Sequence, residues 1–414
     1  MSEYPIVTIS IINYNEKKFI FKAIDSIINQ GYPNLDIIIT DNNSTDGTRE
    51  EIEKRIPEWE KIREDIRKKN LLQQTESQIR YIKNTENIGF GRPHNNAIRL
   101  AKGEFVLLSN ADIIAQLDYV EKIIQPFSDS KVGAVQGKLL RYDFDKNQLC
   151  KDINNPELNI IDTTGLMMFK NRRIVCIGQG QADEGQFEEE KEVFGADGAM
   201  PIYRKSALED VKLPIIRNNE KQSSCHSLEE GNPGLSSKNK SQKCSSSKQG
   251  ISSDESLRAT SYKLHDYEYF DENFFMYKED VDLAWRLRLA GWKTIYCPKA
   301  IIYHGRGSGD SMAKNYIDII KERRKISNRA KFFSFKHQRL MQIKDDFPSL
   351  LFTKHFSRFI VKEVGAWIYM AVFERFTFGI LRDLYKDIPL FIKKRKLVMA
   401  KKKVSAKEME RWFV

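Results

Sequence analysis

The sequence predicts an α/β protein: a mostly parallel sheet flanked by helices, followed by a helical, basic C-terminal region. Three observations predict this. Short β-branched runs, apolar at nearly every position, alternate with amphipathic helical patterns over the first 140 residues, as strands covered on both faces do. Polar residues collect directly after each run, where the carboxyl ends of parallel strands place ligand sites. The basic excess is confined to the end of the chain. Residues 311–414 hold 25 Lys and Arg against 10 Asp and Glu, while residues 1–310 hold 43 against 47.

In chain order, Ile6–Ile12 reads as a strand, Lys17–Asn29 as an amphipathic helix and Leu35–Thr40 as a second strand. Glu50–Leu72 is a charged helix with a hairpin expected at Pro57. Gln78–Lys83, Pro93–Ala101, Glu104–Leu108, Leu117–Phe127 and Val132–Leu139 continue the alternation, and 161–203 extends the sheet. Residues 217–261 are rich in Ser and Lys and poor in large apolar side chains. Such a segment buries too little surface to offset its ordering entropy, so a disordered insert is expected. The expected organisation is a domain over 1–310, with that insert, and a second region over 311–414.

Composition narrows the class. Hydrophobic residues at 41% and charged residues at 30% of 414 describe a globular chain with a charged surface. Five cysteines, with no C-x-x-C pair, argue against a disulfide framework or a zinc site and fit a reducing compartment. The first twelve residues lack a basic n-region, so no signal peptide is read. The apolar stretch from Val364 to Leu381 is interrupted by Glu374 and Arg375, which argues against a spanning helix. No nucleic-acid module accompanies the basic charge.

Four loops carry the candidate chemistry: Asn13-Tyr14-Asn15, Asp41 through Thr48 with Asn43, Asn84 through Asn96, and Ser109 through Asp112. Each is compatible with ordinary turn and capping roles; four at one sheet edge point to a shared site. Asp112, at the end of a central strand, suits a divalent cation bridging two phosphates, because Mg²⁺ often takes one or two carboxylates plus phosphate oxygens. The alternative is a helix cap. In Asp271 through Arg286 an aromatic run delivers Glu279, Asp280 and Asp282 to the start of a helix whose apolar face is Leu283, Leu287 and Ala290. Dipole stabilisation explains one acid there better than three. Sugar transfer to a hydroxyl needs a base, and Asp280 is assigned that role, with Glu279 orienting the acceptor or the base. His304 leads a Gly-rich loop carrying Arg306, which could fold over a diphosphate and bring the imidazole to the metal.

The order of these motifs resembles family 2 of the inverting glycosyltransferases with a GT-A, Rossmann-like fold, particularly its bacterial rhamnosyltransferase-like branch. The resemblance covers about residues 4–310 outside the insert. It rests on Val7–Asn15, Asp41–Thr48, Asn87–Gly91, Ser109–Asp112, Gly195–Met200 and Tyr277–Trp292. It implies that Asp41 accepts from the donor's pyrimidine ring, that Asn13 and Asn15 line the diphosphate path, and that Gly89 lets the backbone approach the ribose or sugar. Asn43, Asn110 and Arg306 are assigned with them to the donor nucleotide. Asp112 corresponds to the last acid of the family's Asp-x-Asp triplet, and the chain departs from that triplet by carrying Asn110 first. His304 matches a histidine that completes metal coordination in relatives.

The expected reaction is a single inverting displacement that moves a hexose from a nucleotide diphosphate sugar to an acceptor hydroxyl, with Mg²⁺ or Mn²⁺ as cofactor. Deoxythymidine diphosphate rhamnose is the first donor to test. The acceptor is expected to be a saccharide or lipid-linked oligosaccharide of cell-surface polysaccharide assembly. The rivals are a sugar nucleotidyltransferase, which wants a basic Gly-rich loop after the first strand, and a non-catalytic module of the same fold. In the last quarter, Phe356, Phe359, Ile360, Val364, Trp367, Ile368 and Ala371 recur at helical spacing among Lys354, Arg358 and Lys362, followed by Lys393–Lys396 and Lys401–Lys403. This suits an interfacial helix on an anionic membrane, or a stripe packed on the catalytic domain. The expected location is cytoplasmic, peripheral on the inner face of the cell membrane, with no nucleic-acid partner.

Overall fold

The computed structural model describes residues 4–70, 78–216, 266–305, 316–374 and 378–414. The expected 217–261 insert lies outside them, as does Arg306. The first half alternates as its apolar periods require: β1 (Val7–Asn13), α1 (Lys17–Ile28), β2 (Leu35–Asp41), α2 (Thr48–Lys69), β3 (Ile79–Lys83), α3 (Gly91–Leu100) and β4 (Phe105–Ser109). The order β3-β2-β1-β4 is parallel, with Asn13 opposite Asp41 and Asp41 opposite Lys83. The loops after these strands therefore open along one edge. Strand Ile202–Arg204 runs antiparallel between β4 and a long strand over Val132–Asp143. The latter pairs in parallel with Lys293–His304.

Alternation along each strand divides the core in two. Leu107, Ile9, Ile11 and Ile37 pack with Ile20, Ile24 and Ile27 of α1. Val106 and Leu108, one residue away, face Ile98, Leu283 and Leu287 on the other side. The 161–203 block only partly joins the sheet: Ile161–Thr163 pairs with Val132–Asp143, while Leu166–Met168 and Ile174–Cys176 form a separate hairpin. Helix Leu117–Phe127 is shorter than expected, running from Tyr119 to Ile123 before a single tight turn.

Helix α2 corrects an expectation, for it passes through Pro57 without a hairpin. Its second half is clamped from outside. Trp59 Nε1 donates to Asp25 at 2.9 Å, and the Arg63 guanidinium donates to the carbonyls of Ile28, Gln30, Tyr32 and Pro33. These contacts offset the hydrogen bond that proline removes.

The chain beyond 316 is helical: Tyr316–Lys325, Asn328–Asp345, Phe356–Phe373, Gly379–Lys401 and Ala406–Glu410. It belongs to the same compact unit as the sheet. Phe335, Leu340, Met341, Phe391 and Phe413 form one core with Phe274, Val281 and Trp285. Burying each such side chain stabilises the fold by roughly 1.5–3 kcal/mol. The basic tail is largely committed to the fold. Lys394 is fully buried, Lys401 donates to the carbonyls of Asp210 and Lys212, and Lys403 pairs with Asp210 at 2.7 Å. The last residue, Val414, exchanges backbone hydrogen bonds with Met168 and Lys170. Among the described residues, no helix is long and apolar enough to cross a membrane.

Candidate active site

The polar loops after β1 and β2 are first of all bonded to each other. Asn13 Nδ2 donates to Asp41 Oδ2 at 2.9 Å and to Ser44 at 2.8 Å. Asn15, at φ 54°, accepts from Thr45 N at 2.7 Å, and Asn43 turns at φ 71°. Asp41 has no exposed surface and also accepts from Ser44 N at 2.9 Å and Arg49 Nε at 2.5 Å. Burial opposes its charge, but these donors outweigh burial and hold the carboxyl below the usual range. Both Asp41 oxygens are thus engaged within the protein. Gly89 differs from its expected use as well. At φ 83°, a Cβ on it would sit 2.5 Å from the carbonyl oxygen of Phe275, so the backbone approached is the chain's own. Asn42 Nδ2 donates to the Gly89 carbonyl at 2.8 Å, and Phe90 N donates to Phe275 O at 3.1 Å. The second and third loops are thereby tied to the segment that carries Asp280.

After β4 the chain turns through Asn110 to Asp112 and enters strand Ile113–Ala115, which pairs with the end of strand Lys293–His304. That pairing sets His304 Nε2 3.5 Å from Asp112 Oδ1. The other ring nitrogen, Nδ1, lies 2.7 Å from Asp162, a carboxylate with no exposed surface. Burial pushes the imidazole pKa down, yet Asp112 and Asp162 overcome it and raise it to about 10. Glu16, in the first loop, has its carboxyl pushed up by burial and by the charges of Asp112 and Asp46. Acids of the first, second and fourth loops thus lie near enough for Asp112 and Asp46 to act on Glu16.

This donor set fits a hard divalent cation. A carboxylate and an imidazole whose far nitrogen is anchored by a buried acid form the carboxylate–histidine–metal pattern. Among the described residues, no group of three or more His, Cys, Asp or Glu could hold a metal unaided. The remaining ligands would be oxygens of a bound diphosphate, which is the Mg²⁺ habit.

Asp280 reaches the same edge from the far end of the chain. Helix Glu279–Leu289 is entered through Tyr277 and Lys278, consecutive non-glycine residues at φ 66° and 78°. Each costs of order 1–3 kcal/mol unless the surroundings impose it. His337 imposes it: its Nδ1 donates to the carbonyls of Met276 and Tyr277 at 2.9 and 3.1 Å. Two acceptors fix that tautomer, and burial pushes the ring's pKa down to about 4. Asp280 then lies against Gly198, where an added Cβ would be 3.4 Å from the Asp280 Cβ. The neighbouring Ala199 carbonyl accepts from Asn110 N at 2.9 Å. Asp280 and the Asp112 loop therefore flank one short segment, Gly198–Ala199. Burial, with Asp197 second, raises the Asp280 carboxyl pKa to about 6. Glu279 is pushed higher, by burial and by Asp280, and its Oε2 is buried without a hydrogen-bond partner.

Residues 8–212 match the family model described as glycosyl transferase family 2. That match takes in 205 of the 414 residues, and the segment it covers belongs to glycosyltransferase family 2. An uncharacterized glycosyltransferase of Haemophilus influenzae is 30% identical over 124 residues, 30% of this chain and 33% of the relative. A putative teichuronic acid biosynthesis glycosyltransferase of Bacillus subtilis is 29% identical over 121 residues, 29% of this chain and 41% of that one. An N-acetylglucosaminyl-diphospho-decaprenol L-rhamnosyltransferase of Mycobacterium tuberculosis is 57% identical over 35 residues, 8% of this chain and 11% of its own. The matched stretches thus span well under half the length of these relatives.

The structure brings together Asn13, Asn15, Asp41, Asn43, Gly89, Asn110, Asp112, Glu279, Asp280 and His304 along one edge. Sequence reasoning missed Asp162, Glu16 and His337. Glu16 directly follows Asn15 and could have been read with it. Asp162 and His337 carry no local signal, since only tertiary pairing sets them beside His304 and Tyr277.

Proposed function

We propose that the protein is an inverting glycosyltransferase that moves a hexose from a nucleoside diphosphate sugar onto an acceptor hydroxyl, with Asp280 as base. The observation that carries this reading is the seat of Asp280 against Gly198, whose neighbour is hydrogen-bonded to the Asp112 loop. Donor diphosphate and acceptor hydroxyl would then meet at one short segment. Asp280 takes the acceptor proton as the new oxygen–C1 bond forms, and the bond from C1 to the diphosphate oxygen breaks with its electron pair leaving on the nucleoside diphosphate. Glu279 stays protonated beside it and orients the acceptor. Asp112 and His304 would hold Mg²⁺ or Mn²⁺, which supplies charge neutralisation on the departing diphosphate. Asp41, Asn13 and Asn15 act on the donor by fixing loop shape through their hydrogen bonds across the two loops, and Asn43 by its turn at φ 71°; Asn110 lines the donor path, and Gly89 serves it by letting its loop meet Phe275.

Deoxythymidine diphosphate rhamnose is the first donor to test, supported by the short stretch shared with the mycobacterial rhamnosyltransferase. A lipid-linked or cell-wall saccharide acceptor is supported by the wording of that relative's name and the Bacillus one's. In the deciding experiment, nucleotide sugars are screened by thermal shift, because a bound donor raises Tm by mass action. The stabilising donor is then used to assay Asp280→Asn. Transfer should fall by roughly 10²–10⁴-fold while donor affinity stays within a few-fold. Near-normal turnover would remove Asp280 from the role of base.

A further inference from the structure

We infer that the outer face of helix Phe356–Phe373 is a docking surface for an anionic lipid bilayer. Val361, Val364, Ile368 and Val372 recur at three- and four-residue spacing and are 62%, 47%, 59% and 54% exposed, with Ile360 and Phe373 beside them. A helix presents such spacing on one side, and soluble monomers rarely leave so continuous an apolar row in water.

The opposite side is firmly held. Met370 is buried, Trp367 packs edge-on against Phe335 with ring centroids 5.0 Å apart, and Glu363 pairs with Arg339 at 2.7 Å. A helix seated this way lies flat with its apolar side outward, the geometry of an interfacial helix.

Charge selects the occupant. The two acids of this stretch are withdrawn: Glu363 is buried, and Glu374 is buried and paired with Arg323 at 2.6 Å. The exposed charges on and flanking the helix include Arg358 and Lys386, while Lys354 before it is paired with Glu410 and Arg382 after it with Asp383. A second copy of the chain would set Arg358 against its own counterpart, with no exposed acid on the helix itself to neutralise it. An anionic bilayer supplies both the apolar depth and the counter-charge.

The same helix also lies close to the catalytic loop. Its Trp367 packs on Phe335, in the helix whose His337 donates to the carbonyls of Met276 and Tyr277 just ahead of Glu279. On the transferase reading, which the docking itself does not require, the bilayer would thus lie one helix layer away from the segment where a lipid-linked acceptor meets Asp280.

The test is co-sedimentation of the full chain with phosphatidylcholine vesicles, with and without phosphatidylglycerol, alongside a Val364→Glu/Ile368→Glu variant. The unaltered chain should sediment with the phosphatidylglycerol vesicles and release as salt rises. The variant should bind about tenfold more weakly or worse, with its Tm and donor-induced thermal shift unchanged. Should the double variant lose its thermal transition, Ile368→Glu alone carries the comparison. Equal binding of variant and parent, or no binding of the parent, overturns the proposal. So does a parent that is dimeric by light scattering and that the substitutions make monomeric, because the covering surface is then a second copy. An inactive Asp280→Asn chain that still sediments separates this result from the fate of the transferase reading.

Discussion

Asp280 and Asp282 stand two positions apart in one helical turn and have opposite environments. Asp282 is fully buried between cations, accepting from Arg286 Nε at 2.9 Å and pairing with Lys344. Asp280 is only partly covered, accepts from Val281 N at 2.8 Å and from the Gly198 backbone, and is pushed upward by burial and Asp197. A base works in its ionised form, so kcat/KM should rise with pH through about 6 and level off above it. Asp197→Asn removes a like charge and should move that limb to lower pH; a pH–rate profile with an unmoved limb would dissociate the two residues. Asp162 acts one residue further out. Its bond to Nδ1 turns the Nε2 of His304 toward Asp112. Asp162→Ala should weaken Mn²⁺ or Mg²⁺ binding by about 10–100-fold, read from metal-dependent thermal shifts in the presence of nucleoside diphosphate. Undiminished metal response would limit Asp162 to a role in folding.

At the scale of elements, the segment Asp271–Lys278 decides whether the helix of the base is presented correctly. It is pinned on one side by the loop after β3 and on the other by helix Asn328–Asp345. Gly89 permits the first contact, and Gly89→Ala would press a Cβ into the Phe275 carbonyl at a φ of 83°. We expect a loss of about 1–3 kcal/mol in unfolding free energy, together with a lower kcat, because Phe275 lies five residues before Asp280. Denaturant melts that match the parent would show that the loop yields freely. Helix α2 teaches the complementary lesson. Pro57 signals a break by its covalent geometry, and Trp59 and Arg63 override it through contacts with α1 and the turn that follows it.

Across the whole molecule, the C-terminal helices are a structural part of the catalytic unit. Lys344 and Lys394, both fully buried, meet Asp271 between them; Lys394 also reaches Glu268, and Lys344 reaches Asp282. Asp271 is held well below its usual range: burial opposes the charge, and the two lysines overcome it. Lys344→Met would leave Asp271 and Asp282 short of a counter-charge in the interior, with an expected cost of about 3–5 kcal/mol. Equilibrium unfolding measures this, and a loss under 1 kcal/mol would mean that Lys394 and Arg286 suffice. Removing residues 393–414 should for the same reason unfold the chain, since Lys394, Phe413 and the Val414 backbone are all engaged.

The sequence by itself determined the alternation of strands and helices, the edge where polar loops gather, and the candidate acids, because apolar period and loop chemistry are local properties of a chain. It marked a helical stripe over 356–371, of which Ile360, Val364 and Ile368 are exposed while Trp367 packs inward on Phe335. Only the tertiary structure decided which polar residues face each other. Asn13, Asn15 and Asp41 spend their hydrogen bonds between loops, Gly89 meets Phe275, and His304 leans on an acid 142 positions away. Those pairings depend on strand order and register, which no short window of sequence encodes. The fate of the basic tail was undecided for the same reason: a lysine reads as solvated charge until the fold supplies a buried carboxylate to meet it.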